Sequence, residues 1–132
     1  MYHVFLDFEM NPIAADQRQY DDPVRHEIIE IGAVKLDENY QLTDRYDKFV
    51  KPERNTITKK ITSLTGITQE DVENAPVLAD ALLDFAQWIG EGPVRIYSWS
   101  ISDFNQLYGE CWLKELDVPR QFRRWMDFQR VY

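Results

Sequence analysis

The stretch "VFLDFE", residues 4–9, constrains this chain more than any other. Val4, Phe5 and Leu6 form a continuous apolar run, as in a strand buried on both faces of a sheet. The run nevertheless ends in Asp7 and Glu9, two positions apart. Alternate residues of a strand project to the same face, so a strand that continues to Glu9 sets both carboxylates side by side. Like charges that close repel, and burying even one is unfavourable. A fold built on this strand needs something to neutralise the pair.

The rest of the chain indicates which sheet the strand joins. "YHVFLDF" (2–8) reads as the first strand, and residues 10–26, with two prolines, three aspartates and little periodicity, as a loop. "EIIEIGAVKL" (27–36) fits a second strand and "RYDKFVKP" (45–52), closed by Pro52, a third. Short connections predict antiparallel pairing of these three. The period then becomes helical. Ile57, Ile61 and Leu64 precede a C-capping Gly66, and Thr68 with Asp71 resembles a capping arrangement for a short helix. Leu78, Leu82, Phe85 and Ile89 form a stripe that stops at Gly90. "PVRIYSW" (93–99) predicts a fourth strand, Ser102 an N-cap for a helix carrying Phe104, Leu107, Tyr108 and Cys111 on one face, and Trp125–Asp127 a short last strand. The expected class is α/β, a mixed five-stranded sheet with its first three strands antiparallel, flanked by helices.

At 132 residues, 44% of them apolar, the chain is long enough for one domain with a real core. Its single cysteine, Cys111, leaves no internal disulfide and no cysteine-based zinc site; on an apolar helix face it reads as a small hydrophobe. No apolar run approaches the ~20 residues of a membrane span, and "MYHVFLDFEM" lacks the features of a signal peptide. A cytoplasmic protein without membrane contact is the expectation. The formal charge of −8 argues against a module that holds nucleic acid by a basic surface alone. It does not exclude an enzyme that meets phosphates through bound divalent cations, which reverse the local charge.

Asp7 and Glu9 have two readings, a polar strand end at the surface or ligands for hard divalent cations. Two such ions about 3.5–4 Å apart can activate water and stabilise a leaving oxygen in phosphodiester hydrolysis. Asp103 is the natural third carboxylate. If the fourth strand lies parallel beside the first, both strand ends reach one sheet edge, where open α/β sheets bind ligands. Taken alone, Asp103 serves equally well as a first-turn acid that complements a helix dipole.

"DFE" at 7–9, "EIIEIGAVKLD" at 27–37, "FVKP", "ITSLTGIT" and "SWSISDFNQL" at 98–107 together closely resemble the DEDD exonuclease superfamily, in its DEDDh form. These are ribonuclease-H-like 3′-to-5′ exonucleases. The nearest branch includes RNA-trimming enzymes and bacterial relatives of a sporulation-pathway inhibitor. The resemblance implies two Mg²⁺ or Mn²⁺ ions, with Asp7 bridging both, Glu9 on the tighter-bound one and Asp103 reaching its ion through water. It implies a single-stranded RNA or DNA 3′ end as substrate, with the main chain around Met10 and Asn11 near the terminal nucleotide. Glu30 is a motif residue for which a structural hydrogen bond is expected.

One motif of that family departs. Relatives carry a His (or Tyr) with a final metal-binding Asp five positions on, whereas five positions beyond His3 and His26 stand Phe8 and Ile31. Both histidines read as structural or exposed, and no general base is assigned within the chain. Residues 1–132 are therefore expected to be a single exonuclease domain without its C-terminal helices, with weak metal binding and little turnover on its own. The apolar end, Trp125, Met126, Phe128, Val131 and Tyr132, either folds back under the sheet or awaits a partner element, and it could support self-association. The alternative is a non-catalytic regulatory or protein-interaction remnant of the same fold. Arg120, Arg123, Arg124 and Arg130 read as a solvated face, and Tyr97 and Trp99 as core rather than as stacking platforms.

Overall fold

A computed structural model of the chain, which describes residues 1–127, carries the first strand past Glu9: β1 spans Tyr2–Pro12. Its alternation divides the two faces. Val4, Leu6 and Phe8 are buried in the main core, while Phe5, Asp7 and Glu9 face the other way and are less buried. β2 (His26–Leu36) and β3 (Leu42–Phe49) complete an antiparallel trio. β4 (Val94–Ser98) runs parallel to β1, and β5 (Trp125–Asp127) parallel to β4. The order β3-β2-β1-β4-β5 is the mixed five-stranded sheet expected from sequence.

The expected loop over 10–26 begins too early. Met10, Asn11 and Pro12 pair with Ile28, Glu27 and His26, so cross-strand hydrogen bonding holds extended a segment whose proline and polar composition read as irregular. The register shifts there, with Glu9 opposite Glu30 and Met10 opposite Ile28. Ile29 is the extra residue of a β-bulge. The offset lets two successive isoleucines bury fully, Ile28 in the main core and Ile29 in a second cluster with Ile67 and Val72.

That second cluster seats two short helices, α1 (Lys59–Thr65) and α2 (Gln69–Glu73). Thr58 caps α1 by accepting from the Ile61 N–H, and Gly66 ends it at φ 81°, a left-handed conformation that costs glycine little. Thr68 and Asp71 form a complete capping box on α2. α3 (Leu78–Ile89) lays Leu78, Leu82, Phe85 and Ile89 into the main core. At about 1.5–3 kcal/mol per buried side chain of this size, that stripe fixes α3 to the sheet.

α4 (Ile101–Leu113) packs Leu107 and Cys111 into the same core, and Tyr108 is half-buried. Its cap is not Ser102. Ser100 holds the extended cap conformation, and its hydroxyl accepts from the Ser102 N–H at 3.3 Å. The serines at 98, 100 and 102 all suit a cap, and the strand's end at Ser98 decides which one serves. Tyr97 is buried as expected, but Trp99, one residue past β4, is 61% exposed rather than core. Trp125 joins the core and donates its indole N–H to Ser98 Oγ at 2.8 Å. Of the apolar end on which the self-association expectation rests, Trp125 and Met126 are half-buried, and Phe128, Val131 and Tyr132 lie outside the described residues. No helix among the described residues is long and apolar enough to cross a membrane.

Candidate active site

Because β1 and β4 are parallel, with Phe5 opposite Tyr97, their carboxyl ends reach the same edge. α4 starts just beyond β4, which places Asp103 in its first turn, 95% buried at 5% exposure. The Asp103 carboxylate accepts from the Phe8 N–H at 3.3 Å, and Phe8 lies between Asp7 and Glu9. Three sequence-predicted carboxylates are thus brought to one edge by two strand ends and a helix start.

Their electrostatics follow from that crowding. Burial raises Asp103 to about 6, the charge of Asp7 and then of Glu9 adds to the shift, and the Phe8 N–H opposes it. Glu9 is raised by burial and by Asp7. None of the ion pairs among the described residues reaches Asp7, Glu9 or Asp103. The α4 N-terminus supplies only the partial positive charge of its dipole.

The acidic surface continues across the uncovered face of the sheet. A shallow cleft of about 470 Å³ is lined by Asp7, Glu9, Glu30, Gly32, Arg45 and Asp47. Glu30 is raised to about 7 by burial first, then by its hydrogen bond to Asp47 and by the charges of Asp47, Glu9 and Asp7. The group that faces Glu30 is therefore another carboxyl, that of Asp47 on the neighbouring strand. Sequence spacing gave no sign of Asp47, because cross-strand neighbours depend on register.

The other candidate residues separate from this edge. Met10 packs against the main core. Asn11 is fully buried, its Nδ2 donating to the Thr56 carbonyl and its Oδ1 accepting from the Thr58 N–H, both at 3.1 Å. Its side chain thus ties the α1 approach to β1, leaving only main chain there for a ligand. His3 is buried, 2.8 Å from the Tyr97 hydroxyl, and His26 is exposed. At the opposite sheet edge, Arg120 pairs with Glu91 at 2.7 Å, and Gln121 donates to the Ala86 and Gly90 carbonyls at the end of α3. Part of the basic cluster therefore serves a helix terminus; Arg123 and Arg124 are exposed, and Arg130 lies outside the described residues.

Sequence reasoning missed a buried ionic network. Lys114 Nζ lies 2.7 Å from Glu27 and 2.8 Å from Glu110, both fully buried. Glu27 also accepts from the Glu53 and Arg54 N–H groups, and Glu110 from the Ile28 N–H and the Gln106 amide. The Glu110–Lys114 half was legible as an i,i+4 pair. The Glu27 half was not.

Known proteins share this arrangement of strands and edge. The RNase T family model, described as Exonuclease, matches residues 4–130. The chain belongs to this exonuclease family. Its similarity to the PolC-type DNA polymerase III of Thermotoga maritima is 33% identity over 98% of this chain and 8% of the polymerase. To 3′-5′ exoribonuclease 1 of Rattus norvegicus it is 27%, over 99% of this chain and 39% of the enzyme. Among solved structures, the nuclease domain of 3′hExo, a DEDDh family member bound to rAMP, superposes with a TM-score of 0.81 at 26% identity, covering 99% of this chain and 68% of that one. The chain thus spans well under half the length of the two curated relatives.

Exonucleases of this family generally work with divalent metal ions. The donor chemistry here fits: all-oxygen side chains, crowded and held in no ion pair among the described residues, which suits a hard divalent ion. Among the described residues, no three His, Cys, Asp or Glu side chains close into a cage. The carboxylates form an open edge rather than an enclosed site.

Proposed function

We propose that this edge is the active site of a 3′-to-5′ exonuclease, in which Asp7, Glu9 and Asp103 hold two divalent ions, Mg²⁺ or Mn²⁺, against the 3′-terminal phosphodiester of single-stranded RNA or DNA. The observation that carries the reading is Asp103. It is buried beside Asp7 and Glu9, burial first and then their charges raise it to about 6, and no ion pair among the described residues reaches it. A site so crowded with negative charge binds a polyanion only when divalent cations stand between them. When bound, such ions lower the pKa of a coordinated water and stabilise the leaving oxygen. The chain's own part is to position and to exclude. The Phe8 N–H orients the Asp103 carboxyl, α4 keeps it dry, and the strand end fixes Asp7 and Glu9 on one face.

A solved neighbour agrees in kind: it is a 3′-exonuclease that recognises a histone mRNA stem-loop in a 3′-end-specific way. The test is a 5′-labelled single-stranded oligonucleotide incubated with Mn²⁺, beside Asp7→Ala. A ladder of products shortened from the 3′ end, lost in the variant, supports the assignment; a ladder unchanged in the variant defeats it.

The second reading, a non-catalytic interaction module on the same fold, is favoured by the absence of a closed carboxylate cage among the described residues. Under that reading the fold binds its partner without divalent ions, and Mn²⁺ leaves its melting temperature unchanged.

A further inference from the structure

β3 is an outer strand of the sheet, paired with β2 on one side and with no described strand on the other. Its pairing shows which main-chain groups point outward. The Val50 N–H, just past the strand, donates to the Ile29 carbonyl at 2.8 Å. Val50, and with it Lys48, Tyr46 and Asp44, therefore turn their main-chain groups toward β2, and Arg45 and Asp47 turn theirs away from it. The Arg45 N–H donates to the Asp44 carboxylate at 2.8 Å instead of to a strand. The Arg45 and Asp47 side chains both line the acidic cleft on the uncovered face, whereas Tyr46 is buried on the other face against Phe85. None of the ion pairs among the described residues includes Arg45 or Asp47. A groove of about 530 Å³ beside the strand is lined by residues 44–48 and by Asp84, Gln87 and Trp88 of α3, which leaves the outer side of β3 uncovered.

We propose that the outer side of β3 is a contact between two copies of this chain, which pair their β3 strands antiparallel about a two-fold axis at Tyr46, each supplying its Arg45 to the other's Asp47. Charged side chains on an outer strand ordinarily deter pairing; here they deter the neighbouring registers and favour one. Antiparallel strands match outward residue to outward residue, so the axis falls on a residue rather than between two. An axis at Asp44, Arg45, Asp47 or Lys48 sets that charge against its own copy, and like charges directly opposite destabilise. An axis at Tyr46 instead sets Arg45 against the partner's Asp47 and Asp44 against the partner's Lys48, opposite in sign at each position. Arg45 and Asp47 then also exchange main-chain hydrogen bonds across the axis. The same patch meets itself, so the contact closes at two copies. The partner's Arg45 comes to stand beside Asp47, which already faces Glu30, so the second copy contributes a cation at the outer rim of the acidic cleft. Asp7, Glu9 and Asp103 take no part, and the inference stands independently of the exonuclease reading.

One strand pair is a small contact, so a reversible dimer is expected, and sedimentation velocity of the whole chain from about 5 to 500 μM tests for it. Wild type is compared with Arg45→Asp, with Asp47→Arg and with the double exchange Arg45→Asp/Asp47→Arg. A thermal melt of each variant establishes that it is folded. Wild type is expected to pass from monomer to dimer across the range. Each single reversal sets like charges opposite and is expected to weaken dimerisation about tenfold or more. An equimolar mixture of the two single variants recovers the dimer, because each then meets its opposite, and the double exchange recovers it alone. A wild type that stays monomeric throughout overturns the proposal. A dimer that neither single reversal weakens also overturns it, since the contact then lies elsewhere, as at the apolar end of the chain. Single variants that stay monomeric when mixed overturn it as well, because their loss then owes nothing to the register of charges on β3.

Discussion

Two groups of carboxylates lie within the same small fold, and they are treated in opposite ways. Glu27 and Glu110 are fully buried, share Lys114, and take hydrogen bonds from three main-chain N–H groups and one side-chain amide. Asp103 is nearly as deeply buried, yet it has one N–H at 3.3 Å and two acids for neighbours. Burial pushes Glu110 up, and Lys114, the Ile28 N–H and Gln106 hold it back; nothing comparable opposes the rise at Asp103. The fold can neutralise a buried carboxylate where one serves structure. At the strand edge no ion pair among the described residues answers the charge, and under the proposed function a divalent ion from solution does.

The largest test of that contrast is to give the network the condition of the edge. Lys114→Met leaves Glu27 and Glu110 buried and unanswered, and removing one partner of a buried pair costs about 3–5 kcal/mol. That is a large fraction of the ~5–15 kcal/mol that holds a domain together. Urea unfolding is expected to show a lowered midpoint, with part of the loss recovered when Glu110→Gln is added. A neutral Lys114→Met would mean that the two groups do not differ as described.

The converse test supplies the edge with what the network already has. Mn²⁺ at about 100 times its dissociation constant is expected to stabilise the protein by ~2.7 kcal/mol, read as a rise in melting temperature. Asp7→Ala abolishes the rise, while a variant in the network that remains folded retains it. If wild type does not respond, the edge is no cation site and the interaction-module reading takes precedence.

What the sequence made legible follows the same division. The Gly66 and Gly90 stops and the Thr68–Asp71 box are local signals, and each is found where local chemistry placed it, whereas β3 runs over Leu42–Phe49 rather than the expected 45–52 because its pairing with β2 sets its ends. The meeting of Asp103 with Asp7 and Glu9 was legible only through topology, from a parallel fourth strand beside the first. The continuation of β1 to Pro12, the choice of Ser100 over Ser102, and the exposure of Trp99 were not legible. Each depends on where a neighbouring strand begins or ends, which no residue states by itself. The Glu27–Lys114 contact spans residues far apart in sequence and was invisible for the same reason.

A smaller effect separates charge from packing at the edge. Asp103→Asn keeps a carbonyl to accept the Phe8 N–H and removes the ionisation. The folded group titrates near 6 against an ordinary 3.8, so the folded state holds its proton more tightly than the unfolded chain. Its contribution is fully present below about pH 4 and is lost as pH rises through 6. With divalent ions chelated, Asp103→Asn is therefore expected to be more stable than wild type at pH 7, by about 2 kcal/mol, and no more stable at pH 3.5. The same variant loses its response to Mn²⁺. A variant less stable than wild type at both pH values would place Asp103 with the structural carboxylates.

The smallest and most discriminating effect is at Glu30, where the edge meets the cleft. Glu30 titrates near 7 against an ordinary 4.5, so its contribution is complete below 4.5 and lost as pH rises through 7. Glu30→Gln retains a donor toward Asp47 and carries no charge. Because the group is only partly buried, solvent screening keeps the gain under about 1 kcal/mol, and it appears only on the alkaline side of the window. A melting-temperature difference curve across pH 4–8 measures it. Its window lies above that of Asp103, so the two slopes separate in one titration. Mn²⁺ then distinguishes their causes. A cation at Asp7 and Glu9 cancels two of the charges that raise Glu30, but not its burial or its bond to Asp47. The Glu30 slope is therefore expected to shrink and persist, whereas a slope indifferent to Mn²⁺ would detach Glu30 from the edge and assign it to the cleft with Asp47 alone.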